Sequence, residues 1–330
     1  MEPMRLVIGL LLCLGVAHAE DKKCVVAQPV AAAPASVKAP PCHRAPKQIE
    51  RAIAAEIEKA YMPEQGGKPE VKFPCDGLGS KVYEIVIETG GGHGGSLELW
   101  RARRRGDGKY DARGIVYRGD SMTHKAAMIP HEQASGVVAL PELDKVRAAM
   151  TAKVREVVPP PKPGEARSFS SGSSSHDFHV VVRLVDDDGR VVERRYTGYV
   201  NSRTQDAYLG LQIAERALAP ITSLPPVLAS ADQDDRAFFA ASFNAAVPHF
   251  DDQFYWWVME RYVDLARFLG TPAVIGGLLT RLTVTEPDRR SQVDARADAL
   301  DALARITGWD ARKTTKSVED AAAAYLAECK

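Results

Sequence analysis

The chain has 330 residues, 45% of them hydrophobic, and its 43 Lys and Arg balance 43 Asp and Glu for a formal net charge of zero. That length and apolar content suffice for two or three cores. The neutral balance excludes the overall positive field by which a protein attracts nucleic acid or an anionic membrane, so any electrostatic role has to be local.

Residues 1–19, MEPMRLVIGLLLCLGVAHA, combine Arg5, an apolar run from Leu6 to Val16 and the small-residue end Ala17-His18-Ala19. This is the pattern of a secretory signal peptide cleaved after Ala19. No later apolar run approaches the roughly 20 residues that span a bilayer. The expectation is an extracytoplasmic protein, periplasmic or secreted, with no transmembrane segment once the signal is removed. In an oxidising compartment Cys24, Cys42, Cys75 and Cys329 are candidates for two disulfides, and three pairings are open. They form no CxxC unit, so no metal centre is expected.

Residues 20–47 are Pro/Ala-rich without hydrophobic period and read as a linker or tether. From Gln48 to Tyr61 the stripe Ile49, Ile53, Ile57 and Tyr61 predicts a short amphipathic helix that stops before Pro63. The period changes to two at Lys81, where Tyr83, Ile85 and Ile87 alternate with Val82, Glu84 and Val86. The run GGGHGG then breaks the chain before a second strand from Ser96 to Trp100. A third strand is predicted over Arg113–Arg118 and a helix over Leu143–Val157. Residues 157–175 have the Pro/Ser/Gly composition of a linker. Beyond it, HVVVRLV, the turn DDDG and RVVERRYTGYV form a clear antiparallel hairpin, with Gly189 suited to the positive-φ turn position. Ser202 and Gln205 have capping-box spacing and predict a helix running to about Leu218.

The two halves share an order, hairpin strands with a Tyr-then-Gly segment (Tyr110 to Gly114; Tyr196 to Gly198) followed by a helix. The fold class is therefore α+β, an antiparallel sheet built from two hairpin-plus-helix halves spanning 48–230, with helices expected on one face. From Asp232 strand signals cease. Asp232 is placed to cap a helix bearing Phe238, Phe239 and Phe243, and 231–330 reads as all-helical.

In this last region Phe254, Val258, Tyr262, Leu265 and Leu269 form one stripe, Gly270 gives a helix stop and Pro272 a restart. Between Arg261 and Trp309, the segments RYVDLARFLG, TPAVIGGLLTRL and ARADALDALARITG resemble the HEAT-like repeats of the short bacterial type. The Gly270-to-Gly308 spacing is close to the repeat length of roughly 40 residues. Its aromatic first helix, with Tyr255, Trp256 and Trp257, departs from that pattern. The resemblance implies a protein-binding surface with no chemistry of its own, with Trp256, Trp257 and Arg261 as candidate binding residues and an unidentified protein or envelope component as partner.

Chemistry-bearing residues are scattered. Ile115 to Thr123, IVYRGDSMT, resembles the strand-then-nucleophile block of GDS-type lipases and esterases, which would make Ser121 a nucleophile. The Gly-x-Asn-Asp and Asp-x-x-His segments that complete such a site are missing. His176 and His179 would point to opposite faces of a strand. His131-Glu132 lacks a second His at position 135, and His93 lies in a glycine run without a phosphate-loop ending. The basic cluster Arg101–Arg105 reads as a solvated edge strand. No cofactor is implied. The expectation is a non-enzymatic binding module, with an extracytoplasmic esterase using Ser121 as the alternative.

Overall fold

The computed structural model describes residues 43–91, 96–118, 132–159, 173–201, 203–228, 231–249, 256–283 and 290–328. Cys24, Cys42, Cys329, His93, Ser121 and His131 lie outside the described residues.

Ile53 and Ile57 are fully buried on α1 (Lys47–Ala60), and the chain turns extended at Tyr61 ahead of Pro63. Strands β1 (Lys68–Lys72), β2 (Val82–Gly91), β3 (Ser96–Arg104), β4 (Tyr110–Arg118) and β5 (Glu132–Val138) precede α2 (Leu143–Thr151) and β6 (Lys153–Val157). Next come β7 (Ser173–Asp186), β8 (Val191–Asn201), α3 (Gln205–Ala217), the one-turn α4 (Ala219–Thr222) and β9 (Val227–Leu228). The chain ends in α5 (Gln233–Ala246), α6 (Trp256–Leu269), α7 (Ile275–Thr283), α8 (Arg290–Thr307) and α9 (Val318–Glu328). Seven strands form one sheet in the order β8-β7-β2-β3-β4-β5-β9, and β1 pairs with β6 separately. All pairings are antiparallel, and the α+β class is as expected.

The hairpins β2–β3 and β7–β8 meet through the β2–β7 pairing, and α2 and α3 pack together on one face. That face, carrying Ile85, Ile87, Trp100, Ala102, Val180 and Val182, forms the first core with α1–α4. The expectation of helices on one face is corrected here. Val86, Leu97, Leu99, Ile115 and Tyr117 point the other way and share a second core with Phe239, Phe243, Tyr262, Leu265 and Leu278 of the helical region. A strand turns successive side chains to opposite faces. These strands are apolar on both, so each face takes a helical layer.

Local chemistry explains other departures. The predicted 143–157 helix ends at Thr151, where the Ala152 N–H closes it on the Ala148 and Ala149 carbonyls, and Lys153–Val157 pairs with β1 instead. Ser202, the expected cap of α3, lies outside the described residues. Asn201 Oδ1 accepts from the Arg203 and Thr204 N–H groups at 2.8 and 3.2 Å, while Gln205 is buried and accepts from the Met62 N–H at 2.7 Å. Asp232 and Asp235 do make a reciprocal capping box at the start of α5. Gly189, Gly270 and Gly308 take φ of 77°, 56° and 69°, as their turn and helix-end positions require.

The arginine cluster is not an edge device either. β3 is the central strand, and Arg101 and Arg113 face each other across β3 and β4. Arg101 ion-pairs with Asp234 and lies 5.1 Å over the Phe238 ring. Arg113 reaches Asp232 at 2.9 Å and lies 3.7 Å from both Asp234 and Asp235. The two strands thus grip the acidic first turn of α5. Arg103 and Arg105 pair with Glu84 and Asp111 at 2.6 and 3.0 Å.

Gly114 sits directly opposite Trp100, and a Cβ at that position would overlap the buried indole ring. Gly114→Ala is therefore expected to lower unfolding free energy by about 1–3 kcal/mol or more through overpacking. Urea denaturation measures it; an unchanged midpoint would show that the indole can shift freely.

Candidate functional site

The sheet register brings together polar groups that lie far apart in sequence. Gly90 pairs with His179, and His179 pairs with Thr197, so Glu88, His179 and Thr197 fall on one face of three adjacent strands. His179 Nε2 is 2.7 Å from Glu88 Oε1, and Nδ1 is 2.8 Å from Thr197 Oγ1. The imidazole is 0% exposed and the Glu88 side chain 5%. With Glu88 ionised, Nε2–H donates to the carboxylate, and in the neutral ring Nδ1 accepts from the Thr197 hydroxyl.

Burial pushes the Glu88 carboxyl up, but His179, through its hydrogen bond and charge, the Arg195 guanidinium and the nearby Tyr262 hydroxyl outweigh it, and the net direction is downward. Because Tyr262 belongs to α6, the pair sits where the sheet meets the helical layer. A second bridge lies alongside. The Tyr117 hydroxyl donates to Asp264 Oδ2 at 2.8 Å, and Arg261 Nη1 lies 3.3 Å from the same oxygen. Burial first, then Asp264, pushes the Tyr117 hydroxyl well above its ordinary range.

Arg261, one candidate binding residue, is thereby engaged with Asp264 and its side chain is only 14% exposed. Trp256 and Trp257 open α6, but their side chains lie outside the described residues. Ser121 lies past the end of β4. The pairings His179–Gly90, Gly90–Leu97 and Leu97–Tyr117 form one row across β7, β2, β3 and β4. Three strand spacings separate its ends by about 14 Å. Both nitrogens of His179 are meanwhile occupied within the sheet. The geometry around His179 can orient a proton between Glu88 and Thr197, yet it does not bring this imidazole to the strand end that leads to Ser121.

A separate shallow cleft is lined by His43, Arg44, Phe73, Pro74, Asp76 and Arg147 among others. Arg147 forms a buried ion pair with Asp76 and donates to the Gly79 and Ser80 carbonyls at 2.8 and 3.2 Å. This arginine secures the 76–80 loop to α2. Among the described residues no group of three or more His, Cys, Asp or Glu is arranged to hold a metal ion.

The Glu88–His179 pair had a sequence signal, a polar residue at an inward position of an otherwise apolar strand. Its meaning depended on the register between strands about 90 residues apart in the chain, which periodicity alone does not supply.

A carboxyl lowered in the folded state stabilises the protein above its unfolded pKa, and that contribution is lost as pH falls through the folded value. For Glu88 the contribution is complete above the ordinary value of 4.5 and declines below it. Glu88→Gln should lose about 1–3 kcal/mol at pH 7, and its denaturation midpoint should fall less steeply below pH 4.5 than that of the wild type. Parallel acid limbs would contradict this assignment. Comparison with protein families, characterised proteins and solved structures finds no match to the chain.

Proposed function

We propose that this is an exported, non-enzymatic binding protein whose helical end takes another protein or an envelope component. The observation that carries the reading is the outer rim of the helical layer. Leu279 and Leu282 of α7, Leu300 of α8, and Tyr325 and Leu326 of α9 pack only partly against the second core and keep some apolar surface in water. Half-buried apolar side chains gathered on adjoining helices are the raw material of a protein-binding surface.

The helix arrangement supports the HEAT-like resemblance. α6 packs along α8, α7 contacts α9, and Arg267 ties α6 to Asp298 and Asp301 of α8 at 3.1 and 2.6 Å. Two helical pairs are fewer than the three that such stacks usually need, and the sheet supplies the missing flank. On this reading Arg261 belongs to the sheet contact, while Trp256 and Trp257 at the start of α6 remain proposed anchors. Among the described residues no helix is long and apolar enough to cross a membrane.

The test compares the wild type with a Leu282→Glu/Leu326→Glu double variant, both immobilised and challenged with envelope extract. The wild type is expected to retain a specific protein or envelope component. The variant should lose that retention at least tenfold while unfolding within a few degrees of the wild type. Equal retention by a folded variant would overturn the proposed surface, and ester hydrolysis abolished by Ser121→Ala would overturn the non-enzymatic reading.

A further inference from the structure

Cys75 is disulfide-bonded, and its partner lies outside the described residues, which leaves Cys24, Cys42 and Cys329 of the processed chain. We infer that the partner is Cys42. His43, the next residue, lines the same cleft as Phe73, Pro74 and Asp76, the residues on either side of Cys75. Two contacts hold it there. Arg44 Nη2 donates to the Phe73 carbonyl at 3.1 Å, and His43 Nε2 lies 3.5 Å from Asp144 Oδ1 at the start of α2. Bonded cysteines have Cα atoms about 4.4–6.8 Å apart, and a Cα one residue from His43 lies about 3.8 Å from it. Of the three candidates, Cys42 is the one whose chain neighbours, His43 and Arg44, lie beside the neighbours of Cys75.

The alternatives are worse placed. Cys329 follows Glu328, the last residue of α9, which belongs to the second core. Phe73 packs on the first core, across the sheet. Cys24 lies eighteen positions before Cys42 in Pro/Ala-rich sequence, and closing the longer loop costs more chain entropy. Formation is an exchange reaction. The two thiols lose two protons and two electrons to a disulfide donor of the extracytoplasmic space, which leaves as its dithiol, and one Sγ–Sγ bond forms.

The bond would tie the chain just ahead of His43 to the loop that carries Cys75, beside α1 and α2. The inference is independent of what the helical layer binds.

Full-length protein exported into an oxidising compartment, alkylated and digested with trypsin without reduction, provides the test. Cleavage yields Ala39–Arg44 around Cys42, Phe73–Lys81 around Cys75, Cys24–Lys38, and Ser317–Lys330 around Cys329. The expected product is Ala39–Arg44 linked to Phe73–Lys81, which reduction separates. Phe73–Lys81 linked to either other peptide, or alkylated as a free thiol, would overturn the inference. A second readout covers failure to recover the linked pair. Under non-reducing conditions Cys75 should become alkylatable in Cys42→Ser and stay protected in Cys24→Ser, and the reverse result would contradict the pairing.

Discussion

A sheet that is apolar on both faces has to be covered twice, and the rest of this structure follows from that constraint. β2 sends Ile85 and Ile87 to one side and Val86 to the other; β3 divides Trp100 and Ala102 from Leu97 and Leu99; β4 divides Ala112 and Val116 from Ile115 and Tyr117. Burying a large apolar side chain contributes about 1.5–3 kcal/mol. Leaving either row in water would expose several such side chains at once. The hairpin halves cover one face with their own helices, and α5–α9 cover the other.

Apolar burial says little about how the second layer is oriented, and the polar contacts supply that information. Arg101 and Arg113 hold the first turn of α5, Asp264 of α6 joins Arg261 to Tyr117, and the Glu88–His179 pair lies beside Tyr262 of α6. A buried charge without a partner is costly, while a paired one adds little net stability over an apolar substitute. Their effect is therefore mainly on docking geometry: a displaced helical layer would leave carboxylates and guanidinium groups unpaired. The same contacts occupy Arg101 and His179, two of the residues weighed in the sequence. The part-exposed apolar side chains lie instead on α7, α8 and α9.

The sequence made some of this legible and concealed the rest for identifiable reasons. Period-two alternation disclosed β2, β3, β4 and the β7–β8 hairpin, and the Asp232 cap and Gly270 and Gly308 stops marked helix ends, because those signals are local. β1 and β6 were concealed because Lys153–Val157 continues the apolar spacing of α2, and only pairing with Lys68–Lys72 makes it a strand. β5, with Ser135 and Gly136 in its middle, has too weak a pattern to announce itself. RARRR resembled a solvated edge because the acidic partner of Arg101 lies more than 100 residues further on, at Asp234. His179 was weighed but Glu88 was not, because a candidate site made from strand register is invisible until the strand order is known.

The sheet depends on the helical layer, and truncation after residue 230 tests that dependence most directly. Thermal unfolding followed by near-ultraviolet circular dichroism, with a hydrophobic dye added, should show that the truncated chain lacks the cooperative transition of the full chain and binds the dye at the uncovered face. A truncated chain that keeps a cooperative transition at the full-length midpoint without dye binding would contradict it, because the sheet would then stand with one face bare.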